Sequence, residues 1–326
     1  MFCFLTAFLL CAQAEDEEVR EVDLFFYDLT NNFLAAMNSV FRMESSRYRI
    51  KLNVFDACSD SYLQKKQLEA TLDNDHDKLI NLVDANMAFF CVEHAKEKKQ
   101  KVIFFNRHVS PAVLRDYPMA WFVGTDESTS GQLQAKIIAD YLIVNPQTDK
   151  NKDGRINTLL LRGEENTHAT MQRSSNCLNA LAGRMIDINL IGDYSASWSR
   201  RYARSYTETV IQKEGIDNIE LIISNNDEMG LGAIDALEKY GYNTGTSAGG
   251  YVPVFGIDSV PEAIEAIREG KMTGTIRNDY EEIAKICMQL LIQDNTDTNS
   301  LKKLVKARIE DNGTILVPYK SVSVTD

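Results

Sequence analysis

The densest run of oxygen-bearing side chains is Asp149-Lys150-Asn151-Lys152-Asp153-Gly154-Arg155-Ile156-Asn157. Asp, Asn and Asp at alternate positions followed by Gly match the opening of an EF-hand calcium loop, D-x-[DN]-x-[DN]-G. Calcium takes roughly six to eight oxygen ligands, and a tight loop with alternating donors can supply most of them. Asp149, Asn151 and Asp153 offer side-chain oxygens, Gly154 permits the sharp turn, Arg155 offers its backbone carbonyl, and Asn157 its amide oxygen. The twelfth position is Leu160 rather than Glu, and the residues after the loop read as a strand. A closing carboxylate must therefore come from elsewhere in the chain. The plainer alternative is an ordinary Asx and Gly turn.

Catalytic signatures do not appear. There is no G-x-G-x-x-G, no G-x-x-x-x-G-K-[ST] and no H-E-x-x-H, and the G-x-S-x-G spacing at 245–249 falls in the Gly- and Ser-rich stretch ahead of a strand, not on the strand-to-helix turn a nucleophile elbow needs. The four histidines, His76, His94, His108 and His168, show no catalytic spacing. Nothing singles out the opposed carboxylate pair a glycosidase needs. The 6 cysteines, Cys3, Cys11, Cys58, Cys91, Cys177 and Cys287, are scattered and carry no C-x-x-C, so neither a zinc site nor a dense disulfide framework is indicated. Cys91 and Cys287 sit among apolar residues and read as core. A net charge of -12 argues against nucleic acid as the partner.

Short apolar runs alternate with helix-period segments. Strands are expected at Val22–Tyr27, Tyr48–Phe55, Leu79–Val83 and Lys101–Phe105, with helices at Phe33–Met43, Ser59–Leu72 and Met87–Lys98. A second series follows, with strands at Ile156–Leu161, Ile186–Ile191, Glu220–Ser224 and Tyr251–Phe255. Its helices are Gly131–Val144, Met171–Ala182, Arg200–Glu214, Leu231–Tyr240 and Val260–Glu269. That alternation implies βαβ units and parallel sheets, and two series in 326 residues imply two doubly wound α/β lobes. The seam falls near Val123-Gly124-Thr125-Asp126. Asn31, Asn106, Asn226 and Asp258 each sit just past an apolar run, where open α/β sheets bind ligands. Asp258 also precedes a helix and suits its N-cap. The Gly- and Ser-rich stretch 244–250 reads as a surface loop.

Residues 1–14 are apolar apart from Thr6 and Gln13, end in Ala12-Gln13-Ala14, and give way at once to Glu15-Asp16-Glu17-Glu18. That pattern reads as a secretory signal peptide, placing the protein outside the cytoplasm, in the periplasm or beyond. Leu10 is bulky where a lipidation signal at Cys11 needs a small residue. No later apolar run reaches the length of a membrane span. A sugar-responsive transcription regulator needs a helix-turn-helix ahead of its lobes. The roughly 20 residues before the first strand are apolar, then acidic, and do not supply one.

Several segments, taken with the Asp149–Asn157 loop, resemble the periplasmic galactose/glucose-binding proteins of methyl-galactoside ABC transporters. They are Phe104-Phe105-Asn106, Val123-Gly124-Thr125-Asp126, Leu160-Leu161-Arg162-Gly163-Glu164, the run from Ile219 through Asn225-Asn226-Asp227 to Met229, Val254-Phe255-Gly256-Ile257-Asp258 and Val317-Pro318-Tyr319. Their order and spacing agree over nearly the whole chain after the leader. The resemblance implies the type I periplasmic-binding-protein architecture, two lobes joined by a multi-strand hinge. The first lobe would take 20–124 plus 279–315, and the second 125–278 plus 316–326. It implies a structural calcium ion held by Asp149, Asn151, Asp153, Arg155 and Asn157 and closed by the distant Glu220.

Carried over residue by residue, the family's sugar contacts place Phe33 and Trp198 as plates on either side of a pyranose. Asn106, Arg173, Asn226, Asp258 and Asn278 would bond its hydroxyls. Three positions depart from the pattern. Asn31 stands where the family reads the 4-hydroxyl with Asp, and Thr167 and Ala169 stand where it has His and Asp. His168, one place from that His, would be its substitute. These changes put the glucose/galactose preference in doubt and leave another hexose, a pentose or a glycoside open. The implied function is capture of a monosaccharide by a monomer that closes around it and delivers it to an ABC transporter permease, with a chemoreceptor as a possible second partner. A carbohydrate-active enzyme is the other class to be tested.

Overall fold

The computed structural model describes residues 19–246, 249–293 and 307–322. The expected signal peptide and Cys11 lie outside the described residues. The first lobe runs β1 (Arg20–Phe26), α1 (Asn32–Arg47), β2 (Ile50–Asp56), α2 (Ser61–Ala70), β3 (Asp77–Ile80), α3 (Ala88–Lys98), β4 (Val102–Phe105), α4 (Pro111–Leu114) and β5 (Ala120–Thr125). The second runs α5 (Glu127–Val144), β6 (Arg155–Arg162), α6 (His168–Ala182), β7 (Asp187–Ser195), α7 (Arg200–Glu214), β8 (Leu221–Ser224), α8 (Asp227–Glu238), β9 (Val254–Phe255), α9 (Pro261–Arg268) and β10 (Ile276–Arg277). The chain then returns through α10 (Tyr280–Ile292), β11 (Arg308–Ile309), β12 (Thr314–Val317) and β13 (Lys320–Ser321).

Two main sheets result. The first has the order β11-β12-β5-β4-β3-β1-β2, and the second β7-β6-β8-β9. Pairing among β1 to β5 and β12, and throughout the second sheet, is parallel. Helices cover both faces, so central strands bury every residue: β4, β5 and β8 have no exposed position. Cys91 and Cys287 are buried, as expected, and so is Cys177.

The helices begin where strands end, and their caps are written in the sequence. Asn31, Asp60, Asp126, Thr167, Ser199, Asn226 and Asp279 each accept a backbone N–H of the first helical turn. Asp258 does not act as a cap. The helix after it starts from Val260 without a side-chain cap, and Asp227 Oδ2 accepts the Val260 N–H at 3.0 Å.

Two elements differ from expectation. The segment read as a seam is strand β5, whose six residues are all buried. Helix α10 was not expected, and it packs on α1, β4 and β5 in the first lobe. The expected lobe boundaries at 124 and 315 cut through strands. β5 continues to Thr125, and β12 to Val317 within the first sheet. Three segments cross between the sheets: the step from β5 to α5, the step from β10 to α10, and the step from β12 to β13, where β13 pairs antiparallel with β10.

Candidate functional site

The carboxyl ends of both sheets face a single cavity of about 870 Å³. All nine residues expected to touch a sugar line it: Asn31, Phe33, Asn106, His168, Arg173, Trp198, Asn226, Asp258 and Asn278. Asn31 and Phe33 come from the β1–α1 turn and Asn106 from the end of β4. His168 and Arg173 project from α6, Trp198 from the β7–α7 turn, Asn226 from the end of β8 and Asp258 from beyond β9. Asn278 sits on the crossing after β10.

The plates are fixed by packing. Phe33 is 5% exposed, belongs to the core, and meets Tyr280 edge-on at 5.5 Å. It is therefore both a core residue and a wall. Trp198 is half-buried with φ +64. Its ring lies against Gly163, where an added Cβ would stand 2.2 Å from the indole carbons. Glycine at 163 is what lets the indole lie flat against the turn after β6.

The amides are oriented by their second jobs. Asn31 Oδ1 accepts the Leu34 N–H at 3.2 Å, and Asn226 Oδ1 accepts the Met229 N–H at 2.9 Å. Each cap turns its oxygen into a helix and leaves its NH2 for the cavity. Asn278 Nδ2 donates to Asp258 Oδ1 at 3.2 Å, and its own Oδ1 is buried without a hydrogen-bond partner. Such an acceptor costs about 1–3 kcal/mol unless a ligand or water meets it. Asn106 holds φ +63, a conformation Asn tolerates better than most residues. The site thus offers donors from Asn31 and Asn226 and acceptors from Asn278 and Asp258, a match for hydroxyls that both give and take.

Arg173 is a post rather than a free hook. It is 5% exposed. Nε and Nη2 donate to the two Glu127 oxygens at 3.0 and 3.2 Å, Nη1 donates to the Asn225 carbonyl at 2.7 Å, and Nη2 also donates to Tyr319 Oη at 2.9 Å. Nη1 faces Asp258 Oδ1 at 3.5 Å. Glu127 and Tyr319 lie on two of the three crossings, so Arg173 ties the cavity wall to the hinge. Burial pushes the Asp258 carboxyl above the usual carboxylate range, while Arg173 pulls the other way. Burial, with Asp258 adding to it, raises Asp227 as well; Asp227 accepts from Thr275 Oγ1 at 2.6 Å.

The contacts that bridge the cleft join residues far apart in the chain and carry no motif. Arg107 Nη2 meets Glu164 Oε2 at 2.6 Å, with its guanidinium 4.7 Å over the Tyr27 ring. Asn32 Nδ2 donates to Glu228 Oε1 at 2.6 Å. His108 stacks on His168 with centroids 4.9 Å apart, and burial together with the His168 ring lowers the His108 pKa. His168 is thus engaged across the cleft mouth. Among the three departing positions, Thr167 caps α6, Ala169 presents only a methyl to the cavity, and Asn31 caps α1.

The Asp149–Asn157 loop lies away from the cavity. Lys152 and Gly154 hold positive φ. Gly154 N–H donates to Asp149 Oδ2 at 3.0 Å, Asp153 N–H to Asn151 Oδ1 at 2.9 Å, and Arg155 N–H to Asp153 Oδ1 at 2.8 Å. Glu220 reaches the same loop: Oε1 accepts Lys150 N–H at 2.7 Å and Oε2 accepts Asn157 N–H at 2.8 Å. Asn189 Nδ2 donates to Asn157 Oδ1 at 2.7 Å. As the side chains stand, no three His, Cys, Asp or Glu among the described residues form a group that would hold an ion. Yet Asp149 Oδ1 is buried without a partner, and the donors gathered here are all oxygens. The residues present therefore fit a hard cation once Glu220 releases its N–H partners.

A family model described as a periplasmic binding protein domain matches residues 22–294. The D-galactose/methyl-galactoside binding periplasmic protein MglB of Haemophilus influenzae is 31% identical over 308 residues, 93% of this chain and 89% of that relative. The ribose import binding protein RbsB of Bacillus subtilis is 25% identical, covering 80% of this chain and 77% of its own. An ABC transporter solute binding protein from Bacillus halodurans with bound myo-inositol superposes with a TM-score of 0.71 at 24% identity, covering 95% of this chain and 96% of that one. One from Actinobacillus succinogenes with bound D-allose gives 0.74 at 21% identity, covering 94% and 98%. These structures share the two-lobed fold. No helix among the described residues is long and apolar enough to cross a membrane. With its lobes, its crossings and its interlobe cavity in place, the chain belongs to the periplasmic binding protein family, a binding protein of transport systems and not an enzyme.

Proposed function

We propose that the protein captures a monosaccharide of the glucose and galactose type in the interlobe cavity and presents it, in the closed form, to an ABC transporter permease on the outer face of the cytoplasmic membrane. The observation that carries this reading is the convergence on one cavity of Phe33 and Trp198 with four amides, a carboxylate and a guanidinium. The apolar C–H faces of a pyranose stack on aromatic rings, and its hydroxyls need partners that donate and accept. Ligand bonds to both lobes stabilise the closed arrangement, a population shift set by differential affinity. The Arg107–Glu164 and Asn32–Glu228 contacts then complete the surface that a permease reads. Calorimetric titration with a panel of hexoses and pentoses tests the proposal: at least one should bind with micromolar or tighter affinity, and silence across the panel defeats it. A different preferred sugar has support in Asn31, Thr167 and Ala169, which stand where the family pattern has Asp, His and Asp.

We also propose that the Asp149–Asn157 loop with Glu220 takes a calcium ion in a structural role. The orphaned Asp149 Oδ1 and the all-oxygen donor set support it. Because the loop is remote from the cavity, calcium stabilises the second lobe without touching the sugar.

A further inference from the structure

The cavity is longer than one sugar ring. In the first lobe the proposed hexose contacts come from the ends of β1 and β4, through Asn31, Phe33 and Asn106. The lining continues past them to β5, β12 and β11, through Phe122, Thr314, Leu316 and Arg308, and to His108 and Pro111 on the loop after β4. From β1 to β12 the sheet order makes four inter-strand steps, through β3, β4 and β5. At about 4.8 Å each, that is a run of roughly 19 Å. One aromatic plate covers a pyranose, so a single ring leaves the far half of this run unfilled. The total of about 870 Å³ lies in the upper part of the range that encloses drug-sized ligands, roughly 300–1,000 Å³.

The extra space does not come from gaping lobes. The lobes already touch at Arg107–Glu164, Asn32–Glu228 and His108–His168. The far half also has its own chemistry. The Phe122 ring folds over Gly124, where a Cβ would stand 2.4 Å from Cζ, and His108 meets that ring edge-on at 5.6 Å. Thr314 and Leu316 pair with Phe122 and Gly124 across the strands and so share their face. Pro111 and Leu316 add apolar walls. At the rim Arg308 is neutralised by Asp126 at 3.0 Å and Glu310 at 3.3 Å. This end sets the apolar Phe122, Pro111 and Leu316 within a polar rim of Thr125, Asp126, Ser128, Arg308 and Glu310 and carries no net positive charge, which disfavours a phosphate or a carboxylate.

We infer that the physiological ligand is a glycoside, a hexose carrying a second ring, with that ring lodged against Phe122, His108, Pro111 and Leu316. The inference rests on the sugar reading above and extends it. The test is calorimetry on the whole protein with D-glucose, D-galactose, the α and β phenyl glycosides of each, and disaccharides bearing the same terminal sugar. The second ring should tighten binding at least about tenfold over the parent sugar, the return expected from burying one ring in an apolar slot. Phenyl glycosides alone gaining would identify an apolar aglycone, disaccharides alone gaining a second sugar, and either outcome supports the inference. Filling the far end from the strand with Leu316→Trp, or from the loop with Pro111→Trp, should erase the advantage of the second ring. Free sugars binding while every two-ring ligand is rejected would overturn this inference and leave the monosaccharide reading intact. An advantage that survives both filling substitutions would overturn the placement. Failure of all sugars, with one ring or two, would overturn the sugar reading and this inference with it.

Discussion

At the scale of single residues, the indole of Trp198 and the bare backbone of Gly163 form one device. Gly163→Ala places a methyl where the indole lies, so the plate must tip out of the cavity. The expected result is a loss of sugar affinity comparable to that of Trp198→Ala. For a buried aromatic anchor that is about 2 kcal/mol or more, roughly thirtyfold. Isothermal titration of the two variants checks it, and the fold should survive in both because Trp198 is only partly buried at the cavity wall and Gly163 lies in the turn after β6 rather than within a sheet or helix. The carboxyl of Asp227 carries a second prediction. Its folded pKa is raised by burial and by Asp258, so the folded state holds that proton more tightly than the unfolded chain. Its contribution to stability is fully present below the unfolded pKa and is lost as pH rises through the folded value. Asp227→Asn removes that dependence. The melting temperature of the variant relative to the parent should therefore climb between about pH 4 and pH 8, and a flat difference across that range would contradict the assignment.

At the scale of elements, the bridges across the cleft set how easily the lobes part. Arg107 and Glu164 are partly exposed, at 16% and 46%, so their pairing is worth only about 0.2–1 kcal/mol. Glu164→Gln should weaken sugar binding by about two- to fivefold through faster release, a stopped-flow measurement, and should leave thermal stability unchanged. This is also where sequence reasoning stops. The residues just past strand ends were legible because open α/β sheets display their ligand groups there, and Trp198 stood out as a large aromatic in a polar run. The clamp of Glu127 and Tyr319 on Arg173 was not legible, since its partners lie 46 and 146 positions away and are matched only by the fold. Helix α10 was missed for a different reason. Its inner residues from Ile283 to Leu291 are nearly all buried, so apolar side chains on several sides hid its period. The signal that was there is Asp279 as a cap with Glu282 three places on. Strand β5 was taken for a boundary because a fully buried strand has no alternation to show.

At the scale of the whole molecule, the Asp149–Asn157 loop on the second lobe and the cavity between the lobes should behave as separate sites. Saturating calcium should raise the melting temperature, by an amount equivalent to about 2.7 kcal/mol when the ion stands at a hundred times its dissociation constant. Chelation should reverse that shift while leaving sugar titrations unaltered at temperatures where the fold persists. Glu220→Gln should remove most of the calcium response. Scanning calorimetry with and without chelator reads both, and abolition of sugar binding by chelation would show that the two sites are coupled after all.

The first sheet is discontinuous in the chain: β12, drawn from residues 314–317, lies between β5 and β11, and α10 covers the helices and strands made first. The first lobe therefore cannot be complete during synthesis until residues 314–317 have been made. The second lobe, uninterrupted from α5 to β10, is free to acquire its shape earlier, as contiguous domains do during synthesis. A nascent chain truncated after Gly313 should thus protect the second lobe from protease and leave residues 20–125 open to it.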